Sequence, residues 1–348
     1  MSLIFGKKLA FNATDERHQQ KQWNELQVTR KSTANVMSDL MSLSQDPLMV
    51  GNAGRTPADA YREFDPTTKI EMVPFGEHAT LSRVMQKSRS VDIGKTLYEY
   101  RKSSDVDAGQ SSMSGQTGVK MNHVDYNYGG AIIPIHDIGF GRQWRDMKAM
   151  QSEGFDALVD DARESERKLM TTIDKYMWNG NANLVVKGNK WLGLRNDPTV
   201  ANATLGLDLA LPASTATDIR DEVRRVRDIL FITNNCTQGL RLGISREIAS
   251  NWERVFSTAE GVFGTINDMI MKLRGIVEIY EDSELVGNEF VLFWDDQEGF
   301  HPVTGMAISS YAVQRQNYND DFNFIKWAAT GFLAKNDFTG RTCALYAA

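Results

Sequence analysis

The chain has 348 residues, 41% hydrophobic and 24% charged, which is enough apolar material for two folded cores plus extensions, since single cores stop growing near about 250 residues. Its formal net charge of -6 argues against a surface built to grip nucleic-acid phosphates, so a role beside DNA would be containment rather than tight binding. The two cysteines, Cys236 and Cys343, have no histidine at metal-ligand spacing, which argues against a zinc site or a disulfide framework and predicts packed, reduced thiols.

Residues 1–66 read as an extension, Gln-rich from Thr14 to Lys31 and turn-rich through Pro47, Gly51, Gly54, Pro57 and Pro66. Trp23, Leu26, Val36, Met37, Leu40 and Met41 recur at partly helical spacing, so amphipathic helix is expected between Asp15 and Leu43, its stripe seeking a partner surface. Met1 to Phe11 lacks the apolar core of a signal peptide and no apolar run reaches about 18 residues, so synthesis in the cytoplasm is expected.

From Ile70 to Ile135, β-prone pieces at Thr96–Tyr100 and Val124–Ile135 flank a soft centre, Ser103–Gly118, made of Ser, Gly, Asp and Gln. The pattern predicts a long two-stranded excursion, and a loop of that length without a core is usually functional or disordered. Projection onto another subunit accounts for it. The clearest helix follows, Gln143–Asn179, with Phe155, Leu158, Val159, Ala162, Leu169, Ile173, Tyr176 and Met177 on a stripe interrupted at Glu166. Gly154 divides it, Glu164 and Lys168 form a favourable i to i+4 pair, and Asn179-Gly180-Asn181 stops it.

A second helix is expected from Ala216 or Thr217 to Leu230, capped by Thr217 or Asp218. Shorter helices are expected at Ser245–Phe256 and Gly264–Leu273. Strands are expected at Leu240–Gly243, Gly275–Tyr280, Phe290–Trp294, Ala307–Gln314, Phe322–Leu333 and Thr342–Tyr346, giving a mixed α and β chain with its strands clustered late.

Catalytic and cofactor motifs are missing from the sequence: it has no dinucleotide turn, Walker loop, Gly-x-Ser-x-Gly elbow or His-Glu-x-x-His. The five histidines are scattered; His136-Asp137 would serve a hydrolase only if both faced one site, and a structural histidine at a strand end is the simpler reading. The acid pairs Asp160-Asp161, Asp295-Asp296 and Asp320-Asp321 read as solvated charge, because adjacent carboxylates point to different faces. Tyr126, Tyr128, Trp144, Trp178 and Trp191 are not interleaved with basic residues and read as packing rather than base-stacking groups.

An arm, a long hairpin, a long helix ending in Asn-Gly, a Gly-Leu-x-Asn segment, then an α/β part with late strands: this order resembles the major capsid proteins of tailed bacteriophages with the Hong Kong 97 fold. The local match runs through Tyr126-Asn127-Tyr128-Gly129-Gly130, Asp174-Lys175-Tyr176-Met177-Trp178-Asn179-Gly180 and Gly193-Leu194-Arg195-Asn196-Asp197-Pro198. The resemblance implies an α+β fold with an N-terminal arm (1–66), an extended E-loop hairpin with flanking strands (67–135), a peripheral domain with a spine helix (136–215), an axial domain (216–305) and C-terminal strands returning to the sheets (306–348).

The same resemblance implies a non-enzymatic protein, without cofactor or metal, that assembles as hexamers and pentamers into the shell around the DNA of a virion. A separate scaffolding protein, a portal and a decoration protein are the partners it implies. Lysine–asparagine crosslinking occurs in part of that family, and Lys95, Lys102 and Lys120 lie in the loop region, but no partner motif is evident. Inter-subunit contacts are expected from Trp23 and Leu26 on the arm and from Lys95, Tyr98, Tyr100, Lys102 and Lys120 on the hairpin. The spine-helix core is expected to hold Phe155, Leu158, Ala162, Leu169, Ile173 and Met177. The rival readings are an encapsulin-type nanocompartment shell and a soluble hydrolase.

Overall fold

The computed structural model describes residues 20, 21, 23–32, 35, 69, 71–114, 118, 121–153, 157–257 and 263–348. The chain divides into two units, Met1–Glu71 and Met72–Ala348. In the first, residues 23–32 are helical (α1), with Lys21 and Glu25 paired one turn apart at 3.9 Å. The stripe positions Val36, Met37, Leu40 and Met41 lie outside the described residues.

The second unit begins with α2 (Ala79–Met85), β1 (Arg89–Ser90), the antiparallel pair β2 (Leu97–Ser103) and β3 (Tyr126–Ile132), and β4 (Ile135–Arg142). Two helices follow, α3 (Trp144–Glu153) and α4 (Ala157–Asn179), with Gly154 and Phe155 between them and outside the described residues. A hairpin of β5 (Gly180–Val186) and β6 (Asn189–Leu192) leads to β7 (Ala201–Ala203) and α5 (Ala216–Asp228). Then come β8 (Leu240–Ile244), α6 (Arg246–Trp252), β9 (Val255–Ser257), β10 (Phe263–Thr265), α7 (Ile266–Met271), β11 (Ile276–Glu281) and β12 (Phe290–Phe293). The chain closes with the long antiparallel pair β13 (Phe300–Ala312) and β14 (Phe322–Ala334), and β15 (Ala344–Ala347).

Two larger sheets organise this unit, one ordered β1-β13-β14-β4 and one ordered β11-β8-β12-β15-β7. Alternation along the strands sends successive side chains to different cores. Phe290 and Leu292 of β12 join Ile219, Val223, Val226, Ile248 and Ile270 of α5, α6 and α7, while Val291 and Phe293 join a second cluster. β12 therefore has four buried residues in a row, the signature of a strand covered on both faces.

The second cluster belongs to α4. Leu169, Ile173, Met177 and Trp178 pack with Tyr280, Val291 and Phe293 from the five-stranded sheet and with Phe300, Ala328 and Phe332 from the four-stranded one. The C-terminal half of α4 is thus the wedge that both sheets share. In the first half Leu158 and Ala162 are only half-buried, and Val159 is 62% exposed and off the stripe. There the helix lies on the sheet through ion pairs, Lys326 with Glu166 at 2.6 Å and Arg142 with Asp161. The polar break at Glu166 marks the change from one mode to the other. Glu164 pairs with Arg167 at 2.5 Å, the guanidinium fork taking the carboxylate in place of the expected Lys168.

The helix ends as expected at Asn179, with Gly180 at φ 63°. Beyond it, the Gly-Leu-x-Asn segment acts as a detached cap. The Leu194 and Arg195 amides donate to the Met177 and Trp178 carbonyls at 2.9 and 3.0 Å, and the Asn196 side chain donates to the Asn179 carbonyl at 3.1 Å. These carbonyls are among those a helix terminus leaves unpaired. Gly193 makes the approach possible: a Cβ there would sit 2.4 Å from the Trp178 backbone.

Two further expectations are corrected. The cap of α5 is Thr215, whose hydroxyl accepts the Asp218 amide at 3.2 Å, not Thr217 or Asp218, because Thr215 is the last extended residue before the turn. Cys236 and Cys343 are not free thiols but a disulfide with Cα atoms 5.6 Å apart, 107 residues apart in sequence; sequence spacing carried no information about a contact made by two sheet-flanking loops.

Candidate assembly surface

The β2–β3 hairpin is a two-stranded sheet of its own, registered from Leu97 opposite Ile132 to Ser103 opposite Tyr126. An isolated pair of strands is marginal in water, so its root needs outside support. Tyr98 supplies part of it, packing against Ala131 and Ile133 with the Arg89 guanidinium 5.2 Å over its ring. Tyr100 supplies more: its hydroxyl donates to Asn336 Oδ1 at 2.8 Å and accepts the Asn336 amide at 2.9 Å, and the Lys102 ammonium donates to the same Oδ1. Gly129 permits this arrangement, since a Cβ would lie 2.8 Å from both Tyr100 and Lys102.

The root is partly desolvated. Burial pushes the Tyr100 hydroxyl above its ordinary range and lowers the Lys102 ammonium against the opposing pull of Asp337 and Asp197. Burial also raises the Asp197 carboxyl, although Thr199 hydrogen bonds counter it. Three of the five hairpin residues expected at inter-subunit contacts, Tyr98, Tyr100 and Lys102, are thus engaged within their own chain. Lys95 is exposed, and Lys120 lies outside the described residues.

Beyond Ser103 the strands end, closed by the Ser104 amide donating to the Asp125 carbonyl at 2.8 Å and the Asp125 amide to Ser104 Oγ at 2.8 Å. The described tip residues make no strand, and Val106, Met113, Met121 and Val124 are exposed with Tyr126 and Tyr128 at the strand ends. These four apolar side chains, on a segment with no core of its own, are left uncovered among the described residues. On the arm, Trp23 and Leu26 are exposed as well.

Elsewhere the described residues offer little chemistry. His136 is buried 5.4 Å from both Tyr176 and Trp191, while Asp137 points to the opposite, exposed face of β4, so the two do not form a dyad. Asp161 and Asp295 are held by Arg142 and Arg241, and Asp320 accepts the amides of Gln316 and Asn317 at 2.8 and 2.6 Å. Among the described residues no group of three His, Cys, Asp or Glu is placed to hold a metal, and no helix is long and apolar enough to cross a membrane. Trp178 and Trp191 are core residues.

The profile of a family of unknown function, DUF6260, matches residues 51–347. The chain belongs to this family. No curated protein matches this DUF6260 member by sequence. Among solved structures it is similar to the capsid of Myoviridae phage XM1, with a TM-score of 0.63 at 10% identity over 85% of this chain and 99% of that one. It is also similar to the capsid of a native GTA particle (TM-score 0.54, 12% identity, 86% and 98% covered) and to that of cyanophage P-SCSP1u (0.52, 14%, 86% and 97%). The DUF6260 chain thus has the Hong Kong 97 capsid fold: α4 is its spine helix and β2–β3 its E-loop hairpin.

Proposed function

We propose that the chain is a major capsid protein that self-assembles, as hexamers and pentamers, into the closed head shell of a tailed phage. The observation that carries this reading is the hairpin: a root fixed to the body through Tyr100, Lys102 and Asn336, and a tip with exposed apolar residues and no core. A fixed lever with an uncovered end fits a contact made across a subunit boundary. The fold shared with the XM1 capsid supports it.

In this reading the four-stranded sheet with α4 forms the peripheral domain (136–215, with the returning strands of 306–348), the segment 216–305 the axial domain, and residues 1–66 an arm. Lys95, the tip, Trp23 and Leu26 meet neighbours, while Tyr98, Tyr100 and Lys102 aim the hairpin. The protein acts as a structural component of the virion rather than as an enzyme, encloses DNA without reading its sequence, and works with a scaffolding protein, a portal and a decoration protein. Several weak contacts engaged together give the shell its strength. Sedimentation of the purified protein across concentration and salt tests this: rings, shells or tubes are expected, and a compact monomer under every condition would refute it.

A further inference from the structure

We propose that the Cys236–Cys343 disulfide is a reversible redox lock on the loop that holds the hairpin root. Cys343 ends the segment 335–343, which starts beside Asn336, the residue that receives Tyr100 and Lys102. The segment is a narrow loop, with Asn336 bridged to Thr342, and it is tied to the far cysteine's loop by the Asn234 side chain donating to the Thr342 carbonyl at 2.9 Å. The disulfide therefore braces the platform to which the hairpin root is anchored.

Both cysteines are placed by backbone bonds that do not need the sulfur link. The Cys236 amide donates to the Leu230 carbonyl at 2.9 Å, and the Trp294 amide donates to the Cys343 carbonyl at 3.0 Å. Cys236 is 2% exposed within the core beneath the five-stranded sheet. With the bond open, two thiols remain close and packed, so opening changes how firmly the loop is held rather than whether the chain folds.

The two cysteines are unequal in access. Cys236 is buried, whereas Cys343 is half-buried and lines a cleft of about 370 Å³ with Tyr100, Lys102, Lys335, Asn336 and Arg341. Glu298 and Asp337 line the same cleft, with Lys335 paired to Glu298 at 2.8 Å. Cationic neighbours favour the thiolate, the form that reacts. Closure by a small disulfide such as oxidised glutathione then runs in two exchanges. The Cys343 thiolate attacks one glutathione sulfur, forming a mixed disulfide and releasing one glutathione thiolate. The Cys236 thiolate attacks the Cys343 sulfur, forming the protein bond and releasing the second glutathione. The two protons lost by the cysteines end on the two glutathione thiols, and reduced glutathione in excess drives the reverse.

The test uses the full-length protein, reduced, freed of reductant and incubated with oxidised or reduced glutathione. Expected are loss of both free thiols and of two hydrogens from the intact mass in the oxidised sample, reversal in the reduced one, and severalfold slower hydrogen exchange in residues 335–343 and 97–103 when the bond is closed. Cys343→Ser and, separately, Cys236→Ala should both exchange like the reduced protein in either buffer. Persistence of two free thiols under oxidised glutathione overturns the proposal. So does closure that leaves exchange at the loop and hairpin root unchanged, or a bond that forms only between chains.

Discussion

His78 Nδ1 lies 2.8 Å from Oδ2 of Asp174, joining α2 to the spine helix through two buried groups 96 residues apart in sequence. Thr171 Oγ1 stands 3.3 Å from the other ring nitrogen, and Glu77 and Arg167 flank the pair. On the β11 side, the Thr80 amide donates to Asp282 at 2.8 Å and the Thr80 and Tyr280 hydroxyls lie 2.9 Å apart. The α2 segment of the second unit is therefore stitched to α4 and to the five-stranded sheet at one polar point.

That point should respond to pH in a stated direction. Burial pushes Asp174 up to about 6 against the pull of the His78 hydrogen bond, with Asp282 and Glu284 adding to the rise. Burial alone would lower His78, but the hydrogen bond and charge of Asp174, with Glu77 and Asp282, raise it. Both shifts mean that the folded chain keeps protons which the unfolded chain releases. The stabilisation they give is full in acid, begins to decline above about pH 4, and is lost as pH rises through 6 and past the folded value of His78. The melting-temperature gap between wild type and Asp174→Asn is thus expected to narrow from pH 5 to pH 8. A gap that widens with pH would mark Asp174 as an ordinary salt-bridge carboxylate.

The division of α4 into an apolar and a polar half sets a second expectation. Leu169 and Ile173 are 1% and 3% exposed in the cluster between the sheets, so either change to Ala should cost about 2–5 kcal/mol in denaturant unfolding. Val159→Ala, on the exposed side, should stay within about 0.5 kcal/mol. Equal effects at the two places would contradict the packing described.

Gly193→Ala should destabilise by about 1–3 kcal/mol, because its Cβ would enter the backbone at Trp178 and push the Leu194 and Arg195 amides off the helix end. Hydrogen exchange at those two amides is the direct readout. Unchanged protection would show that the segment does not cap the helix.

Much of this was legible in the sequence, and the reasons for the misses are physical. The α4 stripe, its Asn-Gly stop and most late strands follow from local periodicity and turn chemistry, as does the hairpin from its soft centre. The Gly-Leu-x-Asn segment was readable as a motif, but its role depends on Met177 and Trp178 across an intervening hairpin. The helix α2 was missed because its seven residues carry only three buried side chains, Thr80, Leu81 and Val84. The anchoring of the E-loop root within its own chain was not legible because Asn336, more than 230 positions away in the polar run Lys335-Asn336-Asp337, gives no local sign of receiving Tyr100 and Lys102. The same holds for the disulfide.

Replacing Asp105 to Val124 with an Asn-Gly turn between Ser104 and Asp125 separates folding from assembly. The Ser104–Asp125 hydrogen bonds already close the hairpin there, and two-residue Asn-Gly turns suit such closures. The melting temperature of the subunit should be nearly unchanged while the yield or stability of shells falls. Loss of folding, or full assembly at normal stability, would refute the role given to the tip.

The central claim, that this chain builds a shell by laying its hairpin on a neighbour, is tested most directly by electron cryomicroscopy of particles of the purified protein. Closed shells of hexamers and pentamers are expected, with the exposed tip apolar residues Met113 and Met121 covered by an adjacent subunit and the Tyr100–Asn336 anchor kept within the chain. Only monomers, or particles in which the tip touches no other subunit, would contradict the account.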